Sequence, residues 1–267
     1  MRSLGKPIAT GRTAEIYAWE DGQVLKLFRD WVPAEYAEGE RSIAIAVHAA
    51  GLASPWAGEI IEVNGRKGLV YERLDGPSMA EFLSRHLWQV TRLAQQFAEL
   101  HAAMHQIHVH DPQAPSQRER LVNKINATDA LSEKLKATVL KSLAEMPEDD
   151  RLCHGDFHPG NILMTTRGPV VIDWIDVTRG HPAADLARSS LIVGNIHLYL
   201  GKIGWLFRGN LQRFLRIYQD RYFQLMPVDR TQVEGWLPII AAARLSENIR
   251  QEAAACLAIV KRSFTEN

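Results

Sequence analysis

The stretch Cys153-His154-Gly155-Asp156-Phe157-His158-Pro159-Gly160-Asn161-Ile162-Leu163, followed by Val171-Ile172-Asp173-Trp174, decides the reading of this chain. Four residues separate Asp156 from Asn161. Two short apolar runs, Ile162–Thr165 and Val170–Ile172, flank the turn Arg167-Gly168-Pro169 and predict a hairpin that returns Asp173 beside Asn161. Moving a phosphoryl group to an alcohol needs a carboxylate near the attacking hydroxyl and further oxygen donors for a divalent cation. Asp156, Asn161 and Asp173 are residues of those types.

Working outward, the first third of the chain alternates short strand patterns with turns. Ile8–Thr10, Ile16–Trp19 and Val24–Phe28 are mostly β-branched or aromatic, with Glu20-Asp21-Gly22 as a turn. Helical spacing follows over Ala34–Ala50, ending at Gly51, where a C-cap is expected. Ala57–Val63 and Gly68–Leu74 flank Asn64-Gly65, a strong hairpin signal. Helical patterns then dominate: Met79–Arg85, Leu87–Ile107, Arg118–Asn126, Ser132–Leu143, and from about Asp185 onward. These patterns predict a small antiparallel sheet with one helix, then a mostly helical part, joined near Asp75-Gly76 without a low-complexity linker. The expected division is residues 1–75 and residues 76–267, and a chain of 267 residues is long enough for two lobes with a cleft.

Taken in this order, the motifs closely resemble those of the aminoglycoside phosphotransferase family, kinase-like enzymes that phosphorylate small alcohols. The resemblance runs from about Ile8 to Ala187 and fades over the rest, where acceptor recognition is expected. It implies an α+β, bilobal, protein-kinase-like fold: a small antiparallel-sheet N-lobe with one helix and a mostly helical C-lobe. It also implies transfer of the γ-phosphate of ATP to a hydroxyl of a small molecule, with Asp156 as the base and Mg2+ held by Asn161 and Asp173. Lys26 resembles the strand lysine that contacts the α- and β-phosphates, and Glu40 its ion-pair partner, with Glu38 as the competing choice. Glu72 and Leu74 resemble the hinge whose backbone groups meet the adenine edge. Gly11, Arg12 and Thr13 lie in the phosphate-covering loop, which has one glycine where protein kinases have three. Asp185, in His181-Pro182-Ala183-Ala184-Asp185-Leu186-Ala187, resembles the buried aspartate that braces the catalytic loop.

Other chemistries fit less of the chain. His101 and His105 have zinc-site spacing, but Ala102 stands where a zinc protease needs glutamate, so a packing helix is the expectation. His154 and His158 are expected to orient the loop rather than bind metal. Trp205 and Trp236 are expected in a helical core. A dinuclear phosphoesterase would need a further Gly-Asn-His block and leaves Lys26 without a role. A protein kinase would need Asp-Phe-Gly where the sequence has Asp173-Trp174-Ile175. A nucleotide-binding pseudoenzyme with a sensing or scaffolding role is the alternative from another class, opposed by the intact Asp156, Asn161 and Asp173.

Bulk composition supports these expectations. Hydrophobic residues make up 46% and charged residues 23%, with 31 Lys+Arg against 31 Asp+Glu, which excludes a strongly basic nucleic-acid binder. No stretch has the length of a membrane span or the form of a signal peptide, so a cytoplasmic location is expected, and a monomer is the expectation for a two-lobed kinase of this size. Cys153 and Cys256 match neither a disulfide framework nor a paired zinc motif. Leu186–Asn267 carries more Arg+Lys than Asp+Glu, which favours a neutral or acidic acceptor. A polycationic acceptor would require carboxylates such as Asp176, Asp220, Glu234 and Glu247 to converge.

Overall fold

The computed structural model describes residues 4–110 and 114–264, with residues 200–207 described by their backbone alone. Two compact units are present: residues 1–82 with 160–175, and residues 83–159 with 176–267.

The first unit is built on five antiparallel strands in the order β1-β2-β3-β5-β4: β1 Ala9–Thr10, β2 Ala14–Ala18, β3 Gln23–Phe28, β4 Ala57–Val63 and β5 Arg66–Glu72. The β4–β5 connection shows why the Asn-Gly signal works. Asn64 (φ 53°) and Gly65 (φ 78°) both take the left-handed conformation of a two-residue primed turn, and Val63 pairs directly with Arg66. Helix α1 (Glu35–Ala49) buries Ala37, Glu40, Ala44 and Val47, whose spacing of three and four residues defines one face. That face packs with Ala14, Phe28, Leu69 and Tyr71 of the sheet. Strand alternation sends Leu25 and Leu27 to a second cluster with Val63 and Val70, so Lys26 shares the parity of Phe28 and the face turned toward α1. Gly51 (φ 79°) ends α1 by donating its amide to His48, as its position in the sequence predicts. The hairpin β7 (Ile162–Thr165) and β8 (Gly168–Val171) belongs to this unit; the Met164 amide donates to Pro77 and the Val171 amide to Ala53.

The second unit is mostly helical: α3 Val90–His105, α4 Gln117–Ala127, α5 Glu133–Glu145, α6 Pro182–Asn195, α7 Gly204–Leu225, α8 Arg230–Arg244 and α9 Arg250–Phe264. The short helix α2 (Met79–Arg85) spans the division. Several boundaries differ from the sequence reading. The long helix expected over Leu87–Ile107 is a 3-10 turn at Leu87–Gln89 followed by α3, and Ser132 caps α5 from outside, accepting the Leu135 amide at 3.3 Å. His181 likewise caps α6, which begins at Pro182 rather than near Asp185.

The strands β6 (Arg151–Cys153) and β9 (Thr178–Gly180) were not foreseen. Each has three residues, too few for a periodicity, and they find each other only in the folded chain. Among the described residues no helix is long and apolar enough to cross a membrane.

Candidate active site

In the first unit, Lys26 Nζ lies 2.7 Å from Glu40 Oε1 and 2.7 Å from Asp173 Oδ1. The pairing follows from two periodicities. Residue parity on β3 points Lys26 at α1, and the helix repeat points Glu40 back at the sheet, leaving Glu38 exposed. Burial by itself would lower the Lys26 pKa; the Glu40 and Asp173 carboxylates reverse this and hold the ammonium well above its usual range. Tyr71 donates its hydroxyl to the same Glu40 oxygen at 2.9 Å, and Glu40 Oε2 has no hydrogen-bond partner among the described residues. Lys26 and Tyr71 therefore together fix which oxygen of Glu40 is used.

Asp173 adopts a left-handed backbone (φ 64°), a conformation that short polar side chains tolerate and that recurs where function outweighs strain. The Ile172 amide donates to the Asn161 carbonyl at 3.0 Å, tying the residue before Asp173 to Asn161 across the base of the β7–β8 hairpin. An amide oxygen and a carboxylate are the hard oxygen donors that magnesium takes, so the residues present fit such an ion.

The rest of the expected nucleotide-side residues lie in the same unit. Gly11 and Arg12 are exposed and Thr13 half-buried between β1 and β2. Their carbonyls are held from one place: the Arg29 guanidinium donates to Arg12 at 3.0 Å and Gly11 at 3.1 Å, and the Arg29 amide to Thr13 at 2.9 Å. The Glu72 amide is committed to the Trp56 carbonyl at 2.9 Å, and its carboxylate meets Arg167 at 2.6 Å. Leu74 is half-buried just after β5.

The second unit holds Asp156. Its backbone amide donates to His154 Nδ1 at 3.2 Å; His158 Nε2 lies 3.5 Å from Asp156 Oδ2, and Arg188 Nη2 3.2 Å from Oδ1. Burial would raise the carboxyl pKa, but the His158 contact and the Arg188 guanidinium outweigh it and hold the group far below the usual carboxylate range. Asp156 is thus ionised at neutral pH, the state a base requires. Gly155 (φ 78°) cannot be replaced without loss: a Cβ there would run into the Asp176 carbonyl.

Beneath the loop, Asp185 accepts the His154 amide at 2.8 Å and the Gly155 amide at 3.0 Å. Its Oδ2 also meets His101 Nε2 at 3.1 Å and His105 Nε2 at 3.2 Å. Since an ionised carboxylate only accepts, both imidazoles donate through Nε2 and accept at Nδ1 from Tyr218 (2.6 Å) and Tyr222 (2.5 Å). The ligand atoms of His101, His105 and Asp185 lie within 4.8 Å of one another, a spacing that could hold an ion, yet each is already hydrogen-bonded in the buried core. We read the trio as a brace. Trp236 is buried in the core of this unit, and the side chain of Trp205 lies outside the described residues.

Three of the four carboxylates that would have to receive a polycation are paired with resident cations. Asp176 meets Arg120 at 3.0 Å, Asp220 meets Arg230 at 3.1 Å, and Glu247 takes Lys124, Arg188 and Arg244 at 2.8, 2.9 and 2.5 Å.

A five-stranded antiparallel sheet with one packed helix and a buried lysine–glutamate pair, followed by a helical remainder, defines a kinase-like phosphotransferase fold. The chain belongs to the phosphotransferase enzyme family APH, whose sequence pattern matches residues 5–236. Among solved structures it is similar to a thermostable mutant of the aminoglycoside phosphotransferase APH(4)-Ia in ternary complex with AMP-PNP and hygromycin B. That match has a TM-score of 0.67 at 17% identity and covers 96% of this chain and 92% of that one. An amicoumacin kinase in complex with AMP-PNP and Ca2+ matches with a TM-score of 0.67 at 16% identity, over 98% of this chain and 88% of that one. An aminoglycoside phosphotransferase from Streptomyces rimosus, APH(3'')-Id, matches with a TM-score of 0.57 at 18% identity, over 89% and 92%. At these identities the likeness carries the fold alone. No curated protein matches the chain by sequence.

Tyr71, Arg29 and Arg188 were not singled out by their chemistry in the sequence, and Glu247 was named there only as a carboxylate for a polycationic acceptor. Tyr71 looked like an ordinary strand aromatic, and the others reach partners at separations of up to 123 residues. Asp185 three residues before Arg188 was the available signal, because that spacing places both on one helix face.

Proposed function

We propose that this phosphotransferase moves the γ-phosphate of ATP to a hydroxyl of a small molecule, with Asp156 as the base. The observation that carries the reading is the Lys26 ammonium, buried and shared between Glu40 and Asp173 at 2.7 Å each. A fixed cation between a helix carboxylate and a carboxylate suited to a metal is what positioning a nucleotide's phosphates demands. Lys26, oriented by Glu40, contacts the α- and β-phosphates; the backbone of Gly11, Arg12 and Thr13 covers them, and Glu72 and Leu74 face the adenine edge. Residues 1–75 serve as the nucleotide-binding lobe and residues 76–267 as the catalytic and acceptor lobe. Magnesium held by Asn161 and Asp173 would neutralise charge on the β- and γ-phosphates. Asp156 orients the acceptor hydroxyl and takes its proton, and the hydroxyl oxygen forms the new bond to phosphorus as ADP leaves.

The acceptor is a neutral or acidic metabolite. Pairing of Asp176, Asp220 and Glu247 with arginines supports this, since an ammonium-rich acceptor would have to displace a resident cation from each. Dependence on ATP places the reaction in the cytoplasm, with a monomer as the working unit.

The test is ADP release from Mg-ATP across aminoglycosides, amino alcohols, sugars, nucleosides and hydroxy acids, with wild type and Asp156→Asn. Acceptor-dependent release with a neutral or acidic compound, abolished in the variant, is the expected result. Nucleotide binding with no release for any acceptor would instead favour a sensing or scaffolding role.

A further inference from the structure

The helix α6 grips the Asp156 loop with both signs of charge. Asp185 accepts two backbone amides of the loop, from His154 and Gly155. One turn later Arg188 donates Nε to the Gly155 carbonyl and Nη2 to Asp156 Oδ1 at 3.2 Å. The third arm of the guanidinium, Nη1, donates to Glu247 Oε1 at 2.9 Å. Arg188 is only 7% exposed, so no arm is left for solvent.

Glu247 is itself fixed. It sits in the 3-10 turn Leu245–Glu247 that follows α8, and also receives Lys124 at 2.8 Å and Arg244 at 2.5 Å. Arg244 in turn is tied to Glu252 of α9 at 2.7 Å. A guanidinium is a rigid planar fork, so fixing one end at Glu247 fixes the direction in which the other end meets Asp156. The chain Glu252, Arg244, Glu247, Arg188 thus links the C-terminal helices to one carboxylate of the loop.

From this arrangement we infer that Arg188 is a positioning residue for the phosphoryl-transfer step, aiming the Asp156 carboxylate, and that Glu247 holds Arg188 in register from the C-terminal helices. The inference rests on the assignment of Asp156 as the base. Asp156, Arg188, Glu247, Arg244 and Glu252 all belong to the second unit, so loss of the arrangement is expected to act on turnover and not on nucleotide affinity. Lysine cannot replace the fork: one ammonium on a flexible stem cannot meet a carbonyl and two carboxylates in fixed directions.

Wild type is first assayed for acceptor-dependent ADP release, then Arg188→Ala, Arg188→Lys and Glu247→Gln with the same acceptor. Misaiming a reacting group by an ångström costs on the order of a hundredfold, so Arg188→Ala should lower kcat by about that factor while the KM for ATP stays within about twofold. Added guanidinium ion should restore part of the lost kcat, which it would not do for damage to the fold. Arg188→Lys should remain about tenfold or more below wild type, and Glu247→Gln should fall between them. Wild-type kcat in Arg188→Ala would overturn the inference and leave the Asp156 assignment standing. A loss of kcat accompanied by an equal loss of ATP affinity and no response to guanidinium would overturn it as well. If Arg188→Ala does not fold, near-wild-type kcat in both Arg188→Lys and Glu247→Gln has the same force. Absence of acceptor-dependent release in the wild type would overturn the assignment of Asp156 and this inference together.

Discussion

Asp156 is held ionised by its neighbours, so removing its charge tests its chemistry more directly than removing its bulk. Asp156→Asn keeps the size and should keep Mg-ATP binding while lowering kcat by about a hundredfold to ten-thousandfold, the range typical of a lost general base. Full activity in that variant would refute the base assignment. Tyr71 poses a different question at the same scale. Its hydroxyl is one of two donors to Glu40, and both residues are buried. Tyr71→Phe removes a hydrogen bond to a charged group, which should destabilise the protein by about 1.5–3 kcal/mol in denaturant titration. It should also raise the KM for ATP, because Glu40 then loses one of the two donors, among the described residues, that fix its rotamer. A variant with unchanged stability would show that the Tyr71 bond is not formed in solution. Lys26 and Glu40 were singled out in the sequence through the family resemblance, and it is the structure that shows the strand and helix repeats turning them toward each other. Tyr71 was not, because nothing in a strand aromatic says which carboxylate its hydroxyl will find.

Glycines separate the elements that need a special backbone from those that do not. Gly65 takes φ 78° in the β4–β5 turn, where an L-residue costs about 1–2 kcal/mol, so Gly65→Ala should destabilise by that amount. Gly39 lies in the middle of α1 with nothing within 4 Å of where a Cβ would stand. Gly39→Ala should therefore stabilise by about 0.5–1 kcal/mol, through helix propensity alone. Thermal unfolding of the two variants side by side checks the contrast; the same sign in both would mean the turn or the helix is not formed as described. The Asn64-Gly65 hairpin and the end of α1 before Gly51 were legible because one or two residues suffice to specify them. The strands β6 and β9 were not, since three residues carry no period and their partners are 25 positions away at the nearest pairing, Cys153 with Thr178.

At the scale of the whole molecule, buried titratable groups give the second unit a direction of pH sensitivity. Burial, aided by the neighbouring His105, pushes the His101 pKa down to about 3 against the opposing pull of Asp185. An unfolded histidine titrates near 6.5, so between these values the unfolded chain takes up a proton that the folded chain refuses. The stabilisation is complete above about 6.5 and is lost as pH falls toward about 3. Glu247 has the same sign. Burial would raise it, but Arg188, Lys124 and Arg244 bring it to about 2, so its contribution is present above the ordinary carboxylate range and is lost as pH falls through about 2. The denaturant midpoint should therefore drop steadily as pH is lowered from about 7 to about 4. A midpoint that stays level or rises over that window would contradict the buried, neutral His101.

The sequence by itself determined the succession of a small sheet with one helix and a mostly helical remainder, the turn residues, and the motif Asp156, Asn161 and Asp173, because each follows from spacing within one strand, helix or loop. Only the tertiary structure decided that Tyr71 shares Glu40 with Lys26, that Arg29 holds the loop at Gly11 to Thr13, and that Arg188 joins Asp156 to Glu247. Those choices depend on which long side chains end within about 3 Å of one another after packing, and a hydrogen bond acts only at that range.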